Sequence, residues 1–375
     1  MKIVQIANTL AHEDGGPARN SFELNLALNA VEDVQAQLFW LRGDDAGSVV
    51  QSYVDEGGVL PDSAPRRIRS SRTEHASSGL RNAIRTIRAA DAVILHGYFL
   101  WWIPLAVMFA RSANVPVFLM PHGSLTAYDR ARNATKKRLF EATAGWVVRK
   151  GVSAVVAGSV IEAEEIVSSG RFARVAYAGV GTRLADIVIG SRTPSAPVRL
   201  LTLSRLAPKK RVDLAIEAVA VLAASGIDVR LNVAGAGQTE YVDGLRDLVA
   251  RLDLEDRVHF AGLLAGPKKT DALLDADIFI LPSEDENFGI GVAEAAAHGL
   301  PTIASVNVAA AKLLRGDAVE MLEDLRPSTI AAAVERVISA YASTTRASVR
   351  SQAEEQFSWG AVAGRWIAVL DGTSS

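Results

Sequence analysis

The chain contains no cysteine in its 375 residues, which excludes disulfides, thiolate metal centres and cysteine nucleophiles. A reducing compartment such as the cytoplasm suits that composition, and we expect a cytoplasmic protein, peripheral at most to the inner membrane face. Also missing is an apolar run of the roughly 20 residues a bilayer-spanning helix needs. The uncharged stretch Phe99–Ala110 holds Trp101 and Trp102, is broken by Pro104, and reads as a buried helix. The start, Met1-Lys-Ile-Val-Gln-Ile-Ala, is too short for a signal-peptide core and reads as a first buried strand. Strong charge of one sign is absent: the net charge is −2.

That balance hides an asymmetry. Residues 1–185 carry 21 Lys and Arg against 17 Asp and Glu, and residues 186–375 carry 19 against 25. Most of the first excess sits in Arg66, Arg67, Arg69, Arg72, Arg81, Arg85 and Arg88, then in Lys136, Lys137, Arg138, Arg149 and Lys150. Such clusters are either solvated faces or contacts for anionic lipid or a phosphorylated acceptor.

With 49% hydrophobic residues the chain can bury a large core, and its length favours two domains. Strand-like runs at Val4–Ala7, Ala36–Leu41, Ala92–Gly97, Val115–Met120 and Ala154–Ala157 are separated mostly by helical stretches, including Ser21–Asn29. That alternation predicts a parallel α/β sheet. Residues 42–80, rich in Gly, Ser and Arg, are the least regular. Ile189–Pro197 has linker composition, and the alternation restarts at Val198–Leu203. The expected division is 1–187, a linker at 188–197, a second domain at 198–356 and a terminal helix at 357–375 that packs back on the first.

The organising stretch runs from Leu281 to Ile303 and reads as strand, polar loop, helix and stop, the stop set by Gly299 and Pro301. In Asn287-Phe288-Gly289-Ile290-Gly291 two glycines stand where the loop becomes helix. Amides there can face an anion under the favourable helix dipole. Glu286 and Glu294 flank this point, and carboxylates suit sugar hydroxyls, which are donors. For the spacing alone, a capped surface helix with Glu294 chosen for propensity is the plainer alternative.

Other strand ends carry similar chemistry. Gly15-Gly16 follows the first strand, where it is either a diphosphate-facing loop or a plain turn. His96 and His122 follow strands and precede glycine, where open α/β sheets place ligands. Ser204–Arg211 brings Arg205, Lys209, Lys210 and Arg211 to the start of a helix predicted over Val212–Ala224. Asp275-Ala-Asp277 closes a helix and opens a buried strand, so we reject it as a metal site.

The run Glu286-Asn-Phe-Gly-Ile-Gly-Val-Ala-Glu294, followed by Ala-x-x-x-Gly-x-Pro, resembles the Glu-x7-Glu signature of retaining GT-B glycosyltransferases of the family-4 type. The resemblance extends over nearly the whole chain. It implies an α/β GT-B fold: two Rossmann-like parallel-sheet domains facing across a cleft. It implies transfer of a hexose-type sugar from a nucleotide-diphosphate donor to an acceptor hydroxyl, glycan or glycolipid, with retention of configuration. Neither a cofactor, a metal nor a nucleic-acid partner is expected.

By the same resemblance Arg205 and Lys210 grip the donor diphosphate, and Glu286 with the Phe288–Gly289 amides positions sugar hydroxyls. Glu294 holds the ribose, Leu264 lies at the base, and Asn287 and Ile290 also bind the donor. Gly15 and Gly16 face donor phosphates and the reacting sugar. His122 contacts that sugar, while His96 and Tyr98 form an acceptor-side wall. The basic stretch Lys136–Lys150 with Trp146 resembles a membrane-docking surface. Tyr177-Ala-Gly-Val-Gly181 and Val306-Asn-Val-Ala309 depart from the family pattern, and both departures are expected to leave the Glu-x7-Glu segment untouched. A GT-B epimerase, a phosphorylase-like enzyme and a non-catalytic nucleotide-sugar-binding subunit are the alternatives.

Overall fold

The computed structural model describes residues 1–10, 16–42, 49, 53–54, 85–184, 189–190, 193–342 and 345–373. Gly15, most of the irregular 42–80 segment and the cations Arg66, Arg67, Arg69, Arg72 and Arg81 lie outside the described residues. The chain forms two compact units, one of residues 1–181 with 359–375 and one of residues 182–358.

The first unit is built in chain order from β1 (Lys2–Thr9), α1 (Gly16–Asn29), β2 (Gln35–Arg42), β3 (Ala92–His96), α2 (Ile103–Ser112) and β4 (Val117–Met120). Next come α3 (Ala127–Ala131), α4 (Ala134–Phe140), a π turn (Glu141–Gly145), α5 (Trp146–Gly151), β5 (Ala154–Ala157), α6 (Val160–Ser168) and β6 (Val175–Tyr177). Its sheet is wholly parallel, in the order β2-β1-β3-β4-β5-β6. β3, β4 and β5 are buried at every position, which is why they read as unbroken apolar runs. Strand order reverses between β1 and β3, so the ligand crevice of this sheet lies beyond their carboxyl ends.

Two local readings change. α1 begins at Gly16, five residues before the expected Ser21, because Pro17 needs no amide donor in a first turn. Pro104 likewise stands in the first turn of α2 and starts that helix instead of breaking it. α2 is buried on one side only, with Met108 and Phe109 exposed.

The second unit runs β7 (Val198–Leu203), α7 (Val212–Ala224), β8 (Val229–Ala234), α8 (Thr239–Arg251), β9 (Val258–Gly262), α9 (Gly266–Asp275), β10 (Ile278–Leu281) and α10 (Ile290–Ala297). It continues through β11 (Thr302–Ser305), β12 (Val319–Leu322), α11 (Pro327–Ala340) and α12 (Thr345–Phe357). The parallel order β12-β11-β10-β7-β8-β9 is the doubly wound dinucleotide-binding arrangement, with its reversal between β7 and β10. A core of Leu200, Leu231, Ile278 and Ile303 packs against Val212, Ile216, Val219 and Leu222 of α7.

The terminal helix is α13 (Trp359–Leu370), separated from α12 by Ser358. It belongs to the first unit, where Trp359 Nε1 donates to Glu23 at 2.9 Å and Arg365 Nε to the Ala178 carbonyl at 2.8 Å. Among the described residues no helix is long and apolar enough to cross a membrane.

Candidate functional site

The order reversal in the second unit brings the exits of β7 and β10 side by side. The Glu284 amide donates to the Lys209 carbonyl at 2.8 Å, which ties the two loops through their backbones. Side chains then pair across them: Lys209 with Asp285 at 2.8 Å, Lys210 with Glu286, and Arg211 with Glu284 at 2.5 Å. Arg205 is exposed beside them and has no hydrogen-bond or ion-pair partner among the described residues.

Lys210 is the buried member, at 8% exposure. Burial chiefly, then repulsion from Lys209 and Arg205, pushes its ammonium down to about 8, with Asp285 opposing. Such an ammonium is charged at neutral pH and is held on the Glu286 carboxylate.

α10 begins at the same place. Gly289, its N-cap, has a positive φ of 93°, no side chain among the described residues caps the helix, and the Val292 amide donates to the Gly289 carbonyl at 2.9 Å, which leaves the Ile290 and Gly291 amides open to an acceptor. Gly291 also serves packing. A Cβ there would lie 2.6 Å from the Leu203 carbonyl oxygen, so glycine lets the helix seat on the end of β7. Phe288 is 5% exposed, its ring edge-on to Phe357 at 6.0 Å, which anchors the turn in the core. Asn287 and Ile290 flank it, and the Asn287 Oδ1 is buried without a partner.

The Val306–Ala309 departure does reach this segment, which corrects the expectation. Val308 bridges Glu286, and the Ala310 amide donates to the Phe288 carbonyl at 2.7 Å. The exit of β11 therefore walls the Glu286 turn from the side away from β7.

Glu294 is the fifth residue of α10, with Lys269 of α9 on its Oε1 at 2.8 Å. His298 Nδ1 lies 2.7 Å from the Glu294 carbonyl. Sequence reasoning missed Lys269, whose only local signal is its position at a helix start after β9. Leu264 is partly exposed in the turn preceding α9. Asp277 accepts from the Arg199 amide at 2.9 Å, and Asp275 also pairs with Arg199, so both carboxylates brace β7 against β10.

In the first unit His96 and His122 meet at the ends of β3 and β4. His96 Nδ1 is 2.9 Å from His122 Nε2, and His96 Nε2 is 2.9 Å from Gln5 Oε1 of β1. Burial holds His122 down to about 4 and His96 well below its ordinary value, which favours neutral rings joined to Gln5 by hydrogen bonds. His122 itself has a left-handed backbone, φ 54°. The buried Glu162 of α6 holds that turn by accepting from the Gly123 amide at 2.5 Å and from the Gly158 amide at 2.9 Å. Its helix gave no sequence signal for this role.

Gly16 is exposed at the start of α1. Tyr98 is 1% exposed, ringed edge-on by Phe99, Phe140 and Phe172, and belongs to the core instead of forming an acceptor-side wall. The apolar His96-Gly-Tyr-Phe run looks like a wall in one dimension, but its side chain turns inward to fill the space under α4.

Solved structures share this architecture. Anabaena HepE in complex with UDP aligns over 99% of this chain and 100% of its own, with TM-score 0.73 and 18% identity. The lipopolysaccharide outer core galactosyltransferase WaaB aligns over 100% of both chains, with TM-score 0.71 and 16% identity. The fold is GT-B.

Among curated proteins, a Mycobacterium tuberculosis GDP-mannose-dependent α-(1-6)-phosphatidylinositol dimannoside mannosyltransferase is 30% identical over 46% of this chain and 44% of its own. Mannosylfructose-phosphate synthase of Agrobacterium fabrum is 37% identical over 29% of this chain and 25% of its own. The chain thus spans less than half the length of either relative. Residues 16–181 match the glycosyl transferase 4-like domain and residues 190–356 match glycosyl transferases group 1, so the chain carries in succession the two domains of a group 1, family-4-type glycosyltransferase.

Proposed function

We propose that the protein transfers a hexose-type sugar from a nucleoside diphosphate donor to an acceptor hydroxyl, with retention of configuration, in polysaccharide or glycolipid assembly. The observation that carries this is the meeting of the β7 cations with the Glu286–Gly289 turn and the uncapped start of α10. HepE was solved with UDP and with UDP-glucose, which supports a nucleotide-sugar donor.

Charge develops on the leaving diphosphate, and Arg205 and Lys210 are its counter-charges, so the reading needs no metal or cofactor. Glu286 is assigned to the sugar hydroxyls, Glu294 to the ribose and His122 to the transferred sugar. A neutral His122 can hydrogen-bond a hydroxyl without repelling positive charge that builds at the anomeric carbon.

Transfer is measured with a panel of nucleotide sugars, the panel first narrowed by thermal shift, since a ligand of the folded state raises its stability. Glu286→Ala is expected to lower kcat by roughly 10²-fold or more. Undiminished transfer in that variant overturns the site. Donor binding without turnover points instead to a non-catalytic subunit, and acceptor-independent release of nucleotide to an epimerase.

A peripheral contact with an anionic membrane belongs to the same reading. It rests on Trp101, Leu139 and Trp146, which are 58%, 66% and 63% exposed, beside exposed Lys136 and Lys150. Co-sedimentation with phosphatidylglycerol vesicles is expected at low salt and is weakened by Leu139→Ala/Trp146→Ala. Protein that stays in the supernatant at low salt removes this part.

A further inference from the structure

A second concave site lies wholly within the first unit. A cavity of about 790 Å³ is bounded by α3, α4, the π turn and α5, with Phe99 on one wall and Arg171 at its rim. Its size suits a small ligand. Five cations line it, Arg130, Lys137, Arg138, Arg149 and Arg171, against the single carboxylate of Glu141.

The internal pairing divides these cations into two kinds. Glu141 accepts from Arg149, which holds that guanidinium in place, and lies 3.4 Å from Arg171. Lys137 is held by Asp129 at 2.6 Å and lies 5.1 Å over the Phe99 ring. Arg130 and Arg138 have no hydrogen-bond or ion-pair partner among the described residues. Two planar donor forks are thus left uncommitted in a concavity already positive from its fixed members.

The backbone is shaped to the same end. The Glu141–Gly145 segment is a π turn, a widened form concentrated at functional sites. A Cβ on Gly145 would lie 2.6 Å from Glu141 Oε2 and 2.8 Å from Arg149 Nη1, so glycine there makes room for that ion pair. The His122–Gly123 turn runs directly into α3, capped by Thr126, and Ala127 at the start of α3 lines the cavity.

We propose that this pocket binds the phosphate or diphosphate group of the acceptor, so that the acceptor is a phosphorylated sugar or a lipid-linked diphosphate. The proposal rests on the transferase reading for the word acceptor, though the binding site does not. Arginine forks match phosphate oxygens bidentately, and an excess of several positive charges suits a group of charge −2 or more better than a single carboxylate.

The test is equilibrium dialysis of labelled pyrophosphate against the full chain. Because the donor loops also bind diphosphate, the measurement compares wild type, Arg205→Ala/Lys210→Ala and Arg130→Ala/Arg138→Ala. A site that persists in the first variant and weakens roughly tenfold or more in the second is expected. Neither Arg130 nor Arg138 has a partner to lose, so the second variant keeps its fold, with circular dichroism as the check.

Competition by glucose 1-phosphate or by farnesyl diphosphate, lost in the Arg130/Arg138 variant, supports the site, and the stronger competitor tells a soluble from a lipid source. Equal pyrophosphate binding in wild type and that variant overturns it, as does binding to phosphatidylglycerol vesicles with none to pyrophosphate. Sugar transfer by a chain with no such pyrophosphate site leaves the transferase reading standing and removes this one alone.

Discussion

Lys210→Ala is expected to lower kcat/KM for the donor by roughly 10²- to 10³-fold, the scale of losing a buried charge aimed at a developing anion. Lys210 stands at the end of the β7 loop, 8% exposed, against Glu286. Truncating it leaves that carboxylate without its counter-charge, so stability falls as well, and unfolding must be measured beside the rates. Arg205→Ala is the milder companion, because its guanidinium is solvated and screened.

The same residue gives a pH test with a fixed sign. Deprotonating Lys210 removes the charge assigned above to the diphosphate, and its ammonium is held down to about 8 by burial and by its cationic neighbours. In wild type kcat/KM therefore falls as pH rises through about 8. The limb in kcat lies higher, because bound diphosphate favours the charged form. Lys210→Arg removes the limb, since a guanidinium does not titrate in this range. An alkaline limb unchanged in Lys210→Arg would refute the assignment.

The alternation of strands and helices was legible because parallel strands covered on both faces read as continuous apolar runs, as at Ala92–His96 and Ile278–Leu281. The loops after β7 and β10 were legible for a local reason. Glycine, proline and charge sit at strand ends, where the sequence alone marks a turn. What the sequence does not carry is partnership across distance.

Nothing near Lys209 names Asp285, 76 residues on; the pairing follows from strand order, with β10 set beside β7. Glu162 looks like any acid in a first helical turn, and only the adjacency of β4 and β5 lets it hold the amide behind His122. Tyr98 misled because a strand end fixes where a residue is but not which way its ring turns. The Val306–Ala309 segment misled because Val308, 22 residues after Glu286 in the chain, still pairs with it.

Gly235→Ala is expected to cost about 3 kcal/mol or more, from backbone strain and overpacking together, and to loosen the donor loop with it. Gly235 follows β8 with φ +145°, and a Cβ there would lie 1.8 Å from the Ser204 carbonyl oxygen, which is backbone and cannot swing away. The loop it supports lies flat on this turn: the Ser204 amide donates to Ala234 at 3.1 Å and the Leu206 amide to Ala236 at 2.8 Å. Relief of the clash must move Ser204, and Arg205 moves with it. Melting is expected to fall by roughly 5–10 °C for a unit of this size, with weaker donor binding in whatever remains folded. Gly244→Ala is the matched control. That glycine is exposed within α8 and nothing meets its Cβ, so alanine should stabilise by about 0.5–1 kcal/mol through helix propensity. Opposite signs for the two substitutions separate contact from composition, whereas a harmless Gly235→Ala would mean that the β7 loop does not rest on the β8 turn.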